Sequence, residues 1–100
     1  MIVYNVTVNV DDDIHEEWLR WMKEVHIPDV MRTGMFLDNR MLKMLVEEEM
    51  GGQTYAFQYT CKDMDTFRRY ESEFAPALRE DVIRRYTGKF VAFRTLLEVV

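Results

Sequence analysis

Ile2-Val3-Tyr4-Asn5-Val6-Thr7-Val8-Asn9-Val10 is the stretch that decides the fold. Ile2, Tyr4, Val6, Val8 and Val10 fall on one side, and Val3, Asn5, Thr7 and Asn9 on the other. Period-two alternation in β-branched residues marks a strand with two chemically different faces. It predicts the central strand of a small sheet, with the Tyr4-Val6-Val8 side turned to the core.

Outward from this strand, Asp11-Asp12-Asp13 closes the element, and Asp13 with Glu16 has capping-box spacing. Ile14, Trp18, Trp21, Met22 and Val25 then recur on one helical face, opposite Glu17, Arg20, Lys23 and Glu24. His15 lies on the polar side and reads as solvated. Pro28 predicts a break near His26-Ile27, followed by a kinked one-turn continuation from Pro28 to Arg32 that stops at Gly34. Between Met35 and Glu49 a second strand is expected, with Leu42, Met44 and Val46 against Met41, Lys43 and Leu45. Asp38-Asn39-Arg40 reads as a loop or bulge before it. Glu47-Glu48-Glu49 leads into a hairpin turn at Met50-Gly51-Gly52, and the strand's charge suits a sheet edge.

Thr54 to Cys61 alternates again, Tyr55, Phe57, Tyr59 and Cys61 opposing Thr54, Ala56, Gln58 and Thr60. Asp63 or Asp65 caps a second helix whose apolar face takes in Met64, Phe67, Tyr70, Phe74, Ala77, Leu78 and Val82. Pro76 predicts a kink there, or two segments meeting. Gly88 stops it. Phe90 to Val100 is the last strand, read with Val91, Phe93 and Leu97 on the helix side and Phe90, Ala92, Arg94 and Leu96 on the open side.

The order β-α-β-β-α-β is that of an α+β, ferredoxin-like domain spanning residues 1–100. It implies a four-stranded antiparallel sheet in spatial order 4-1-3-2 with both helices on one face. The other face, carrying Val3, Asn5, Thr7, Ala56, Gln58, Thr60 and Arg94, is too apolar for a solvated surface and too polar for a dry core. A second copy of the chain covering it is the expected assembly.

Composition narrows the function classes. The 100 residues are 48% apolar and 31% charged, the balance of an ordinary globular chain. Thirteen Lys and Arg against eighteen Asp and Glu leave a net charge of -5, which argues against nucleic acid as a partner. No apolar run is long enough to span a bilayer. Cys61 is the single cysteine, so no intramolecular disulfide forms, and no secretory leader is recognisable; a reducing, cytoplasmic setting is expected. Two histidines and one cysteine far apart have no metal-ligand spacing, so no metal and no cofactor are expected.

The element order, His26-Ile27-Pro28-Asp29 and Thr33-Gly34-Met35-Phe36 resemble the dimeric α+β barrel superfamily, which includes the antibiotic-biosynthesis-monooxygenase-like proteins. More specifically, Tyr4-Asn5-Val6-Thr7-Val8, His26-Ile27-Pro28-Asp29, Thr54-Tyr55-Ala56-Phe57-Gln58-Tyr59 and Phe93-Arg94-Thr95-Leu96-Leu97 resemble the DUF4286 family, of unknown function, over essentially the whole chain. The resemblance implies paired sheets forming a barrel across a homodimer. Haem-degrading members of the superfamily join a first-strand asparagine to a Trp and a His on the second helix. Here Asp63 to Tyr86 contains neither, and Asn5 points away from the apolar face, so that chemistry is not carried over.

Two groups of side chains are candidates for ligand binding. Asn5, Thr7, Gln58 and Arg94 are expected on the open face. They read either as an anion pocket with Arg94 as carboxylate clamp, or as a polar layer that satisfies itself across the interface. His26 with Asp29 reads either as a base with its orienting carboxylate, or as a helix C-terminal histidine beside a capping residue. No catalytic set is assigned. The overall expectation is a small dimeric barrel that binds a small polar ligand or serves as an interaction module. The alternative is a cofactor-independent oxygenase acting on a small organic molecule in a pocket between sheet and helices, near His26, Tyr59 and Trp18.

Overall fold

The structure, a computed structural model, describes residues 1–46, 49 and 51–100. Strand β1 runs Ile2–Val10, β2 Asp38–Lys43, β3 Gln53–Cys61 and β4 Phe90–Glu98. They form one antiparallel sheet in the order β2-β3-β1-β4, the expected 4-1-3-2 arrangement read from its other edge. After a 3-10 turn at Asp12–Ile14, the first helical layer comprises α1 (His15–Trp21), a π-helical turn at Met22–His26 and α2 (Ile27–Arg32). The second comprises α3 (Met64–Glu73) and α4 (Ala75–Tyr86). Both layers pack on the same face, where Tyr4, Val8, Trp18, Phe57, Phe67 and Tyr70 belong to one buried cluster.

Pro28 does not end the first helix. The Ile27 N–H reaches back to the Met22 carbonyl, five residues away, and this widened turn carries the helix through the proline. The inserted residue shifts the inward stripe to Trp18, Met22, His26 and Val30, so Val25, expected inside, is exposed. Asp13 does not close a capping box either; its carboxylate meets Lys89 Nζ at 2.7 Å. Asp63 does cap α3, accepting from the Thr66 N–H at 2.8 Å and the Thr66 hydroxyl at 2.7 Å. At Pro76 two helical segments meet, with Phe74 as the hinge residue between them.

In β2, Asp38, Asn39 and Arg40 are ladder residues opposite Thr60, Tyr59 and Gln58 rather than a loop, and the strand ends at Lys43. Of the expected hairpin turn, Glu47, Glu48 and Met50 lie outside the described residues. Gly51 and Gly52 have φ of 75° and 73°, the left-handed region a tight reversal uses.

The faces of β4 are the opposite of those expected. Val6 lies opposite Arg94, Val8 opposite Ala92 and Val10 opposite Phe90. Residues directly opposite each other in an antiparallel pair share a face. Phe90, Ala92, Arg94 and Leu96 therefore stand on the helix side, and Val91, Phe93, Thr95 and Leu97 on the open side. Both alternating sets of this strand are apolar, so its hydropathy alone does not decide its parity; the hydrogen-bonded register with β1 does.

Candidate functional site

This register takes Arg94 away from Asn5, Thr7 and Gln58. On the open face Asn5 Nδ2 donates to Thr7 Oγ1 at 3.1 Å, and Asn5 lies directly opposite Gln58. Arg40, also opposite Gln58, is the basic residue on that side.

Arg94 instead reaches over β1 on the helix side. Its Nε donates to the Tyr4 hydroxyl at 3.0 Å, and Arg79 Nη2 of α4 donates to the same oxygen at 3.0 Å. Arg79 also pairs with Glu71. Burial works against the charge on Arg79, but the bonds to Tyr4 and Glu71 outweigh it and raise its pKa.

These groups border a cavity of about 200 Å³ enclosed by the sheet and the two helical layers. The apolar part of its wall includes Val6, Val8, Met22, Phe57, Leu78 and Val82, and Tyr4, His26, Tyr59, Tyr70, Arg79 and Arg94 supply the polar part. Ile83 of α4 is 54% exposed and Arg94 is also exposed, which places the mouth between α4 and β4. Hence the two candidate groups regroup: His26, Tyr59 and Arg94 line one cavity, whereas Asn5, Thr7 and Gln58 share the open face.

His26 reaches the cavity because of the π turn, and its ring stacks on Trp21 with centroids 5.7 Å apart. The Arg85 guanidinium lies 5.3 Å from the Trp21 ring centre, so Trp21 contacts a cation as well as the imidazole. Burial lowers the His26 pKa to about 4, against the opposing influence of Asp29 and Asp81. The ring is therefore neutral at pH 7 and offers one acceptor and one donor nitrogen. Asp29 is turned to Arg32 and makes no hydrogen bond to His26, so the two do not form a base with an orienting carboxylate.

Three buried polar atoms of the cavity's lining residues have no hydrogen-bond partner among the described residues: Tyr59 Oη, Trp18 Nε1 and Arg79 Nε. Burial raises the Tyr59 pKa strongly, with the Tyr70 and Tyr4 oxygens adding to it, and so keeps the phenol protonated. Each orphaned atom is thus an available donor. A buried donor left unpaired costs roughly 1–3 kcal/mol, so each of the three calls for a partner.

Tyr4 and Tyr70 were legible in the sequence only as core, and Arg79 was not singled out at all. The available signal was a guanidinium next to Leu78 and three residues before Val82, at the border of an apolar helix face. His15 is not simply solvated: its Nε2 lies 2.7 Å from the Tyr55 hydroxyl and the two rings stack. Among the described residues no three His, Cys, Asp or Glu side chains are grouped to hold a metal ion, and no helix is long and apolar enough to cross a membrane.

The sheet order and the helices over one face make this an α+β protein with the ferredoxin-like fold. The chain belongs to the family described as "Domain of unknown function (DUF4286)", whose profile matches residues 1–100. Among solved structures it is similar to HapK from Hahella chejuensis, at 8% identity and a TM-score of 0.74, with 100% of this chain and 93% of that one covered. It is also similar to an ethyl tert-butyl ether d (ethd) family protein from Bacillus halodurans, at 11% identity and a TM-score of 0.67, with 100% of both chains covered. A third likeness is to SnoaB, a cofactor-independent oxygenase from Streptomyces nogalater, at 13% identity and a TM-score of 0.63, covering 99% and 92% of the two chains. At these identities the likeness is one of fold. No curated protein matches the sequence.

Proposed function

We propose that this chain is a small-molecule-binding protein, a single ferredoxin-like domain that works as a homodimer in the cytoplasm. Its ligand site is the cavity between sheet and helices rather than the open sheet face. One observation carries this reading: an apolar-walled cavity whose lining residues leave three buried donors unpaired. The open face, with Val91 58% and Phe93 63% exposed beside Asn5 and Thr7, supports pairing with a second copy. Asn5, Thr7 and Gln58 then form a polar layer within that interface. The lone thiol, Cys61, is buried and unbridged, in keeping with a reducing compartment.

Native mass spectrometry of the purified protein, followed by denaturing spectra, tests both parts together. A dimer that releases a small organic molecule on unfolding is the expected result. A ligand-free chain whose cavity accepts no small molecule in a solution screen would remove the binding reading.

A second reading, a cofactor-independent enzyme, is favoured by one feature, the neutral His26 in the cavity wall. A neutral imidazole there can take a proton from an acidic O–H, or from a C–H beside a carbonyl, leaving the charge on the substrate oxygen. SnoaB, of like fold, is a cofactor-independent oxygenase. Solvent exchange of an enolisable ligand's α-deuterium, catalysed by the wild-type protein and lost in His26→Gln with binding retained, is the expected signature. Equal exchange by the two proteins would reject it.

A further inference from the structure

We infer that the cavity selects a small organic anion, seating its carboxylate or enolate oxygen on the Arg94–Tyr4–Arg79 group. The inference rests on the cavity being the ligand site and adds the chemical class of the ligand.

The argument starts from the Tyr4 oxygen. It accepts an N–H from Arg79 and another from Arg94, each at 3.0 Å, which uses both of its lone pairs. Its own O–H proton has no acceptor among the described residues, so this phenol can act toward a ligand only as a donor. Trp18 and Tyr59 add unpaired buried donors, and Arg79 adds its Nε–H. Guanidinium and indole N–H groups have no acceptor capacity at all. Among these groups and His26, only the imidazole and the Tyr59 oxygen have lone pairs to offer, and the donors outnumber them. A ligand with an acceptor-rich head therefore fits better than one with a donor-rich head such as an ammonium.

Charge points the same way. Two guanidiniums meet at Tyr4, and one carboxylate, Glu71, pairs with Arg79. Among the described residues Arg94 has no carboxylate within ion-pair distance, so this corner of the cavity keeps an uncompensated positive charge on a chain whose net charge is -5. An anionic oxygen supplies the missing counter-charge through charge-assisted hydrogen bonds in a partly desolvated site. The apolar wall of Val6, Val8, Phe57 and Leu78 takes the body of the molecule, and about 200 Å³ limits it to one or two fused rings.

The test uses two probes of the same shape, 2-naphthoate and its neutral analogue 2-naphthamide, titrated into the full-length protein. Tryptophan fluorescence reads the binding, since Trp18 lines the cavity. The acid is expected to bind roughly tenfold or more tightly than the amide. Arg94→Met is expected to bring the two within about twofold while amide affinity is kept, because only the charged partner is lost. Tyr4→Phe, which removes the oxygen holding both guanidiniums, should have the same effect and stands in should Arg94→Met fold poorly. Equal binding of acid and amide to wild type would overturn the anion inference and leave the cavity reading intact. A preference for the acid that survives in both variants would also overturn it, because the anion then sits elsewhere. Binding of neither probe would overturn both.

Discussion

Burial lowers the His26 imidazole to a pKa of about 4, where the open chain has the ordinary 6.5. Between those two values the unfolded chain takes up a proton that the folded protein refuses. Stability from this residue is therefore complete above pH 6.5 and is lost as the pH falls toward 4. Between pH 7 and pH 5 the loss is at most about 2 kcal/mol, reduced to the extent that solvent reaches the ring. Burial sets the lower end of the window, and Asp29 and Asp81 oppose it by raising the pKa, which narrows the window. His26→Gln is expected to flatten this segment of the stability profile, measured as urea midpoints at pH 7 and pH 5. A variant as acid-sensitive as wild type over that interval would place the group elsewhere. A pocket near His26 and Tyr59 was legible because a histidine two residues before a proline and a tyrosine on a core-facing strand each bring a polar group to an apolar layer. Arg79 was not, because an arginine on an acidic, arginine-rich helix looks solvated until the sheet brings Tyr4 beneath it.

Elements differ in how far their own sequence specifies them. In β1 one face is wholly apolar and the other carries two asparagines and a threonine, so its orientation follows from hydropathy alone. In β4 both faces are apolar, and its parity comes from a pairing with β1 some ninety residues away in sequence, which no local pattern records. The register has a direct consequence for neighbouring positions. Ala92→Asp puts a carboxylate against the helices and is expected to cost about 2 kcal/mol or more, read by urea unfolding of the full chain. Phe93→Asp, one residue on, points to the open face and should leave the fold of the monomer intact. The reverse pattern of damage would mean that the strand is paired one residue out of register. The first helical layer teaches a similar point: its 3.6-residue period predicts Val25 inside, and one widened turn replaces it with His26. At the start of α3 the signal was purely local and sufficient. Asp63→Ala removes two hydrogen bonds to Thr66 and should lower stability by about 1 kcal/mol in the same assay.

For the molecule as a whole, the uneven distribution of helices decides which face of the sheet is open to a second copy. Both helical layers cover one face of the sheet, and Val91, Phe93 and Leu97 remain 46–63% exposed on the other. Three large apolar side chains along one nine-residue strand, next to the Asn5–Thr7 hydrogen bond, favour a covered face over a wet one. The corrected register sharpens this expectation, because it moves Phe93 onto the open side and takes a charge, Arg94, off it. If two copies pair through this face, part of each protomer's stability is supplied by its partner, and unfolding must then depend on protein concentration. Light scattering is expected to give twice the chain mass at micromolar concentration, with a melting temperature that rises as the protein is concentrated. Phe93→Asp should yield a monomer whose melting temperature is lower and independent of concentration, while the 2-naphthoate site, on the other side of the sheet, keeps its affinity. A wild-type protein that stays monomeric with a concentration-independent melt would refute pairing through this face. Loss of the naphthoate site in a folded Phe93→Asp monomer would show instead that the cavity depends on the partner to hold the sheet in shape.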